Sequence, residues 1–251
     1  MTSSLPFPEA DASVRFIDRR DAGEQLAQAV IDDVRHHPEL ESLPFVVYAL
    51  PKGGLPIAAP IAQRLGCPLD VIVAKKITRP DNPELAIGAV TAEGHVVWDT
   101  QRHKLPTTAF QRMASDATPR ALERDRQSVE PYDVALQQAH AHAQTQLADL
   151  VPDRPGISVR GAVAILVDDG VATGMTLAAA LQAVRSQQPA QVWICAPVAP
   201  LELMPFLRSR AERVIVLATP HPFYSVSRFY KEFPQVTMAE AIAYLEQTRM
   251  P

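Results

Sequence analysis

Five short, uninterrupted apolar runs limit what this chain can fold into. They are FVVYAL (45–50), LDVIVA (69–74), AVAILV (162–167), QVWICA (191–196) and RVIVLA (213–218). A strand with one wet face alternates apolar and polar residues, whereas a continuous run reads as a strand buried on both faces. Helix-period stripes lie between the runs. Ile57, Ala58, Ile61, Ala62 and Leu65 form one, and Leu177, Ala180, Leu181 and Val184 form another. Buried strands alternating with amphipathic helices predict an α/β fold with an open, mainly parallel five-stranded sheet and flanking helices. An opening helix is expected over about 19–36. Near the end, Thr237 and Glu240 make a T-x-x-E capping box ahead of Met238, Ala241, Ile242 and Leu245.

The stretch 79–160 interrupts this alternation. ELAIGAV and GHVVWD read as two strands joined by the turn TAEG. TPRALERDRQSVE and YDVALQQAHAHAQTQLADL read as helices broken near Pro131, the second with Tyr132, Leu136, Ala139, Ala143 and Leu147 on one face. The segment is expected to be an insertion of a hairpin and helices between sheet strands. The organisation that follows is a disordered lead-in over 1–12 and a single domain over 13–251, with a small C-terminal hood from about 220.

Charge and composition exclude several function classes. Net charge is −4 over 251 residues and no Lys/Arg-rich block occurs, so neither nucleic acid nor an anionic membrane surface is an expected partner. No apolar stretch approaches the roughly 20 residues of a membrane helix. The opening MTSSLPFPEADAS lacks the basic and apolar regions of a secretion signal. The two cysteines, Cys67 and Cys195, lie on separate elements, which fits a reducing cytoplasm rather than a disulfide framework.

Open α/β sheets bind ligands beyond the carboxyl ends of their strands, where the strand order reverses. Two loops fall at such ends and hold four of the ten glycines: Gly53, Gly54, Gly170 and Gly174. The first is PKGG (51–54). A Gly-Gly turn before a helix exposes N–H groups that can cradle phosphate, and Lys52 adds a mobile positive charge. An ordinary strand-to-helix turn with a solvated lysine is the plain alternative. The second loop lies in ILVDDGVATGMTLAAAL (165–181). Gly170 and Gly174 are four apart and Met175 follows, so this is neither G-x-x-x-x-G-K-[ST] nor G-x-G-x-x-G. What remains is a cup for a single phosphate, built from N–H groups of residues 172–176, the Thr173 and Thr176 hydroxyls and a helix N-terminus. Such a helix end contributes about 0.3–1 kcal/mol toward an anion, and up to about 2 when partly buried. Asp168 and Asp169 would repel that phosphate at close range. They suit sugar hydroxyls or a divalent cation instead. A sugar 5-phosphate meets both demands.

ILVDDGVATGMT resembles the phosphoribosyl-diphosphate (PRPP) motif of type I phosphoribosyltransferases: four apolar residues, two acids, two variable positions and a small-Thr-Gly-x-Thr loop. PKGG is similar to that family's pyrophosphate loop. The stretch from LPKGG to NPELAIGAV is similar to a bacterial group of uncharacterised phosphoribosyltransferases, and the likeness extends over nearly the whole chain beyond the first dozen residues. The resemblance implies the type I phosphoribosyltransferase fold and transfer of a phosphoribosyl group from PRPP to a nitrogenous acceptor, with release of pyrophosphate. It assigns Asp168 and Asp169 to the ribose hydroxyls and to Mg²⁺. It assigns Ala172, Thr173, Gly174, Met175 and Thr176 to the 5-phosphate, and Lys52, Gly53, Gly54 and Lys76 to the pyrophosphate. Lys75 and Lys76, placed at the end of the second strand, point to opposite faces, so only one can serve. The residues after 78 would supply a mobile loop closing over PRPP. Some purine-salvage members carry a carboxylate where this chain has Ala172, and Glu84 is the substitute candidate for a base. Dimers are common in the family, and a homodimer is the corresponding expectation.

Other residues carry less. His140 and His142, two apart on a helix, do not share a face. His36 and His37 suit a helix end. Phe223 and Tyr224, beside His221, could stack on an acceptor ring or simply pack. Arg124 and Arg126 read as a solvated face with Glu123 and Asp125. Two rival functions stay open: a non-catalytic PRPP- or nucleotide-sensing regulator, and an enzyme acting on another phosphorylated sugar or on nucleotides.

Overall fold

Each of the five apolar runs forms a strand of one parallel sheet. In this computed structural model, which describes residues 15–40, 42–99, 126–152 and 156–248, they are β1 (Phe45–Ala49), β2 (Leu69–Val71), β6 (Val163–Val167), β7 (Gln191–Val198) and β8 (Arg213–Ala218). The order across the sheet is β2-β1-β6-β7-β8, with every neighbouring pair parallel. All five residues of β6 are buried, as a central strand covered on both faces requires. β1 pairs with β2 on one side and β6 on the other, so the strand order reverses between β1 and β6. The expected lead-in over 1–12 and most of the helix expected over 118–130 lie outside the described residues.

The chain divides into two compact units. One comprises the described residues of 1–71, 156–174 and 187–251; the other comprises those of 72–155 and 175–186. In the first, helix α1 (Arg19–Arg35) packs Ala22, Gly23, Leu26, Ala27 and Val30 inward and lies against α2 (Gly54–Leu65). Asp18 caps α1 by accepting the Asp21 N–H at 2.8 Å. A short helix α5 (Met204–Arg208) follows β7. The last helix, α6 (Met238–Gln247), packs on α2 and carries the expected capping box: Thr237 accepts from the Glu240 N–H and Glu240 accepts from the Thr237 N–H.

The second unit holds an antiparallel sheet, β3 (Ala74–Arg79), β4 (Asn82–Thr91) and β5 (Val96–Trp98), in that order. β4 and β5 are the expected hairpin, with Gly88, Ala89 and Val90 opposite Trp98, Val97 and Val96. Helices α3 (Arg126–Leu150) and α4 (Met175–Ser186) pack against this sheet. Tyr132, Leu136 and Ala139 of α3 join a cluster with Ile77, Ile87 and Val90.

Three expectations need correction. Lys75 and Lys76 are not at the end of the second parallel strand. That strand stops at Val71, and the lysines lie on β3, opposite Val90 and Ala89. The run LDVIVA is continuous in sequence because Ile72 and Val73 are buried where the chain leaves one sheet for the other, not because one strand spans it. Glu84 lies on β4, not in a loop: a tight turn, with an Arg79–Asp81 ion pair at 2.6 Å, returns the chain directly into that strand. Helix α3 runs through Pro131 without a break. Proline removes one backbone donor there, and the turns behind it continue because their apolar side chains pack on the sheet.

These packing details are open to two checks. Replacing Thr237 with Ala removes an N-cap worth about 1 kcal/mol; chemical denaturation should report a loss of that order, and unchanged stability would mean that the box does not hold α6. Burial pushes the Cys67 thiol up to about 12 and that of Cys195 above its ordinary range. Neither cysteine should react with a thiol reagent at neutral pH until the protein is unfolded, when both should; labelling of the native protein would contradict this.

Candidate functional site

The two glycine-bearing loops meet at the point where the strand order reverses. β1 and β6 are paired neighbours, and the Leu50 N–H donates to the Val167 carbonyl at 2.8 Å, which extends their ladder to the loop bases. From there one loop enters α2 and the other runs on to α4. In the first loop, Pro51–Gly53 form a turn with a cis Pro51–Lys52 peptide. The Gly54 N–H donates to Leu50 and the Leu55 N–H donates to Lys52. No side chain caps α2; its first two amides are taken up by these backbone carbonyls of the loop. Lys52 is half-buried. The Thr237 amide and hydroxyl hold the exposed Glu240 carboxyl below its ordinary range, and the charge of Lys52 adds to that effect.

Contact between the loops is too close for side chains. A Cβ on Gly54 would lie 2.7 Å from the Val167 carbonyl oxygen, and one on Gly53 would lie 2.0 Å from Asp169 Oδ2. Glycine at 54 is therefore required by neighbouring backbone, whereas a side chain at 53 would have to displace the Asp169 carboxylate.

Beyond β6, the Asp168 N–H reaches the Cys195 carbonyl at 3.4 Å and Asp168 Oδ1 accepts the Asp169 N–H at 2.9 Å. The Val171 N–H donates to Val198, tying the loop to β7. Ala172 and Thr173 are exposed, and Gly174 turns the chain with φ +74°, in the left-handed region that glycine adopts without penalty. Met175 opens helix α4. The expected bare turn before a helix start is thus present, with two carboxylates at its strand side.

Those carboxylates differ in environment. Asp168 is half-buried. Asp169 Oδ2 accepts from Arg19 Nε at 2.8 Å, and the two side chains are only 17% and 11% exposed. Burial pushes the Asp169 carboxyl above its ordinary range, while the hydrogen bond and charge of Arg19 pull it back. Tyr230 Oη donates to the Asp169 carbonyl at 2.6 Å. Its hydroxyl is raised far above the ordinary range, first by burial and then by the Asp169 charge, so it stays protonated and donates. Losing one member of a buried pair like Arg19–Asp169 typically costs about 3–5 kcal/mol.

Sequence reasoning missed Arg19 and Tyr230. A signal for Arg19 exists: Arg19 and Arg20 stand in the first turn of α1, where the helix dipole disfavours cations. A buried anionic partner offsets that cost. Of the other expected residues, Phe223 stacks on Phe229 with ring centroids 6.0 Å apart. Tyr224 is 66% exposed with Arg228 over its ring. Lys76 is exposed on β3. His140 Nε2 lies 3.0 Å from the Ala92 carbonyl, a structural contact. Two adjoining clefts of about 340 and 200 Å³ lie among α1, α2 and α6, lined by Arg20, Pro56, Glu240 and Tyr244 and not by the aspartates. Backbone groups and charge converge instead at the strand ends, around Lys52, Asp168 and Asp169.

A sequence profile for the phosphoribosyl transferase domain matches residues 18–215. The chain belongs to the phosphoribosyltransferase family. Two Mycobacterium tuberculosis relatives, one from strain H37Rv named "Putative phosphoribosyl transferase Rv0571c" and one from strain CDC 1551, are each 32% identical to this chain over 232 residues. The alignment covers 92% of this chain and 46% of those relatives, so the chain spans about half their length. The crystal structure of TT1426 from Thermus thermophilus superposes with a TM-score of 0.68 at 33% identity, covering 93% of this chain and 98% of that one. The five-stranded parallel sheet with a smaller antiparallel sheet is thus the phosphoribosyltransferase fold. No helix among the described residues is long and apolar enough to cross a membrane.

The packing at Gly53 yields a prediction. Gly53→Ala should displace the Asp169 carboxylate and cost about 1–3 kcal/mol by overpacking. Thermal melting together with a crystal structure of the variant reads both effects; an unmoved Asp169 with native stability would contradict the contact.

Proposed function

We propose that this phosphoribosyltransferase binds PRPP with Mg²⁺ and transfers its phosphoribosyl group to a nitrogenous acceptor, a nucleobase or similar amine. The observation that carries the reading is the meeting of two backbone-rich loops at the β1/β6 reversal, one with Lys52 and the other with Asp168, Asp169 and the bare 172–174 turn. N–H groups of Ala172, Thr173, Gly174, Met175 and Thr176 hold the 5-phosphate. Lys52, Gly53 and Gly54 hold the pyrophosphate. The Asp168–Asp169 pair is assigned to the ribose hydroxyls.

Hard carboxylate oxygens at the strand end suit Mg²⁺, and among the described residues no cluster of three or more His, Cys, Asp or Glu side chains forms a dedicated cage. That donor set fits an ion which arrives with the substrate and keeps phosphate and water ligands. When bound, Mg²⁺ supplies charge neutralisation on the leaving pyrophosphate. In the transfer, the acceptor nitrogen forms a bond to ribose C1 with inversion. The C1–oxygen bond breaks through an oxocarbenium-like transition state, and its electron pair leaves with pyrophosphate. The nitrogen then sheds its proton to solvent. The chain's contribution is positioning and electrostatic preorganisation. Ala172 brings no carboxylate to the acceptor, so the base is recognised elsewhere, with Phe223 and Tyr224 as candidates.

Calorimetry with PRPP and Mg²⁺ should show saturable binding, weakened about tenfold or more in Asp168→Asn, since a hydrogen bond to a charged group contributes about 1.5–3 kcal/mol. Absence of PRPP binding would end this reading. Pyrophosphate release with a panel of nucleobases and amines should identify the acceptor. Saturable binding with no release on any acceptor would instead mark a PRPP sensor.

A further inference from the structure

Asp169 is gripped from outside the two phosphate loops. The Arg19 guanidinium uses three of its recognition modes at once: Nε donates to Asp169 Oδ2 at 2.8 Å, Nη1 donates to the Pro234 carbonyl at 2.5 Å, and its plane lies 3.6 Å from the Phe233 ring centroid. Tyr230, which donates to the Asp169 carbonyl, packs on Phe233 and Phe16. A backbone clasp joins the same segments. The Arg15 and Phe16 N–H groups both donate to the Phe229 carbonyl, Lys231 donates to Phe16, and Glu232 donates to Ile17. Residues 229–234 lie beyond the span that the family profile matches, and Arg19 lies at its start. The gripped carboxylate fills the space a side chain at Gly53 would need, and Arg19 Nε is itself 3.4 Å from that point.

We propose that Arg19 is a positioning residue for the PRPP site: it holds the Asp169 carboxylate against Gly53, fixing that acid beside the pyrophosphate loop. This rests on the PRPP reading. Asp169 is held at two points, its Oδ2 by the Arg19 guanidinium and its carbonyl by the Tyr230 phenol. The C-terminal clasp thereby becomes part of the donor site, because Phe233 and the Pro234 carbonyl fix the plane and tilt of Arg19. Removing Arg19 leaves a buried carboxylate with no counter-ion beside the turn that must hold a pyrophosphate. Removing both charges leaves neither problem.

The test is a double-mutant cycle read in PRPP–Mg²⁺ affinity by calorimetry, with unliganded melting temperatures alongside. Arg19→Met should weaken PRPP binding about tenfold in the wild-type background and clearly less in an Asp169→Asn background, a coupling expected of groups in contact. Arg19→Lys, which keeps the charge but not the fork, should recover part of the affinity and guards against a Met variant that does not fold. An Arg19→Met effect of the same size with and without Asp169→Asn would overturn the proposal. So would a lowered melting temperature with PRPP affinity intact, which would make Arg19 merely structural. The wild-type titration comes first. If wild type binds no PRPP, the functional reading itself has failed and this proposal falls with it, an outcome distinct from wild-type binding without coupling.

Discussion

The approach of two loops at the β1/β6 junction governs the rest of this site. The Val167 carbonyl and the Asp169 carboxylate, both at the β6 end, occupy the volume that Cβ atoms on Gly54 and Gly53 would fill. That contact requires glycine at the first position of α2 and a parallel pairing that runs unbroken to Leu50 and Val167. It also requires an aspartate whose side chain bends toward the neighbouring strand. Once these are in place, two helix-entry turns stand side by side at the carboxyl ends of the strands, where an open α/β sheet collects ligands.

Charge is distributed around that contact with a consistent logic. A phosphate and two acids would repel each other if all met at one point. The fold separates them: the acids lie at the β6 end, and Ala172 to Gly174 carry the chain on to the start of α4. Burial of Asp169 would on its own favour the neutral acid, and Arg19 counters that. The guanidinium in turn depends on an aromatic ring and a carbonyl from the C-terminal segment. The result is a chain of dependence from residue 234 through Arg19 and Asp169 to Gly53, entirely within one compact unit.

Much of this was legible before any coordinates. Continuous apolar runs marked all five parallel strands, because a doubly covered strand has no polar face to interrupt its pattern. The capping box at Thr237 and Glu240 was readable because it is a local interaction spanning three residues. The errors came where tertiary packing overrode local pattern. LDVIVA hides a change of sheet at Ile72 and Val73, since burial looks the same in either sheet. Pro131 reads as a breaker, yet the apolar face behind it holds α3 together. At the site, the two loops were visible as motifs, but Arg19 was not: its partner is 150 residues away, and only its awkward place in a helix N-terminus hinted at it. The acceptor had no such local signature, and Ala172 removes the one motif position that could have carried one.

The most direct test of the account is a crystal structure of this protein soaked with PRPP and Mg²⁺. The account predicts the 5-phosphate on the amides of 172–176, the ribose hydroxyls at Asp168, and the pyrophosphate against Lys52, Gly53 and Gly54, with Arg19 still on Asp169. PRPP bound in the clefts among α1, α2 and α6, or bound at the strand ends with its phosphates exchanged between the two loops, would contradict it.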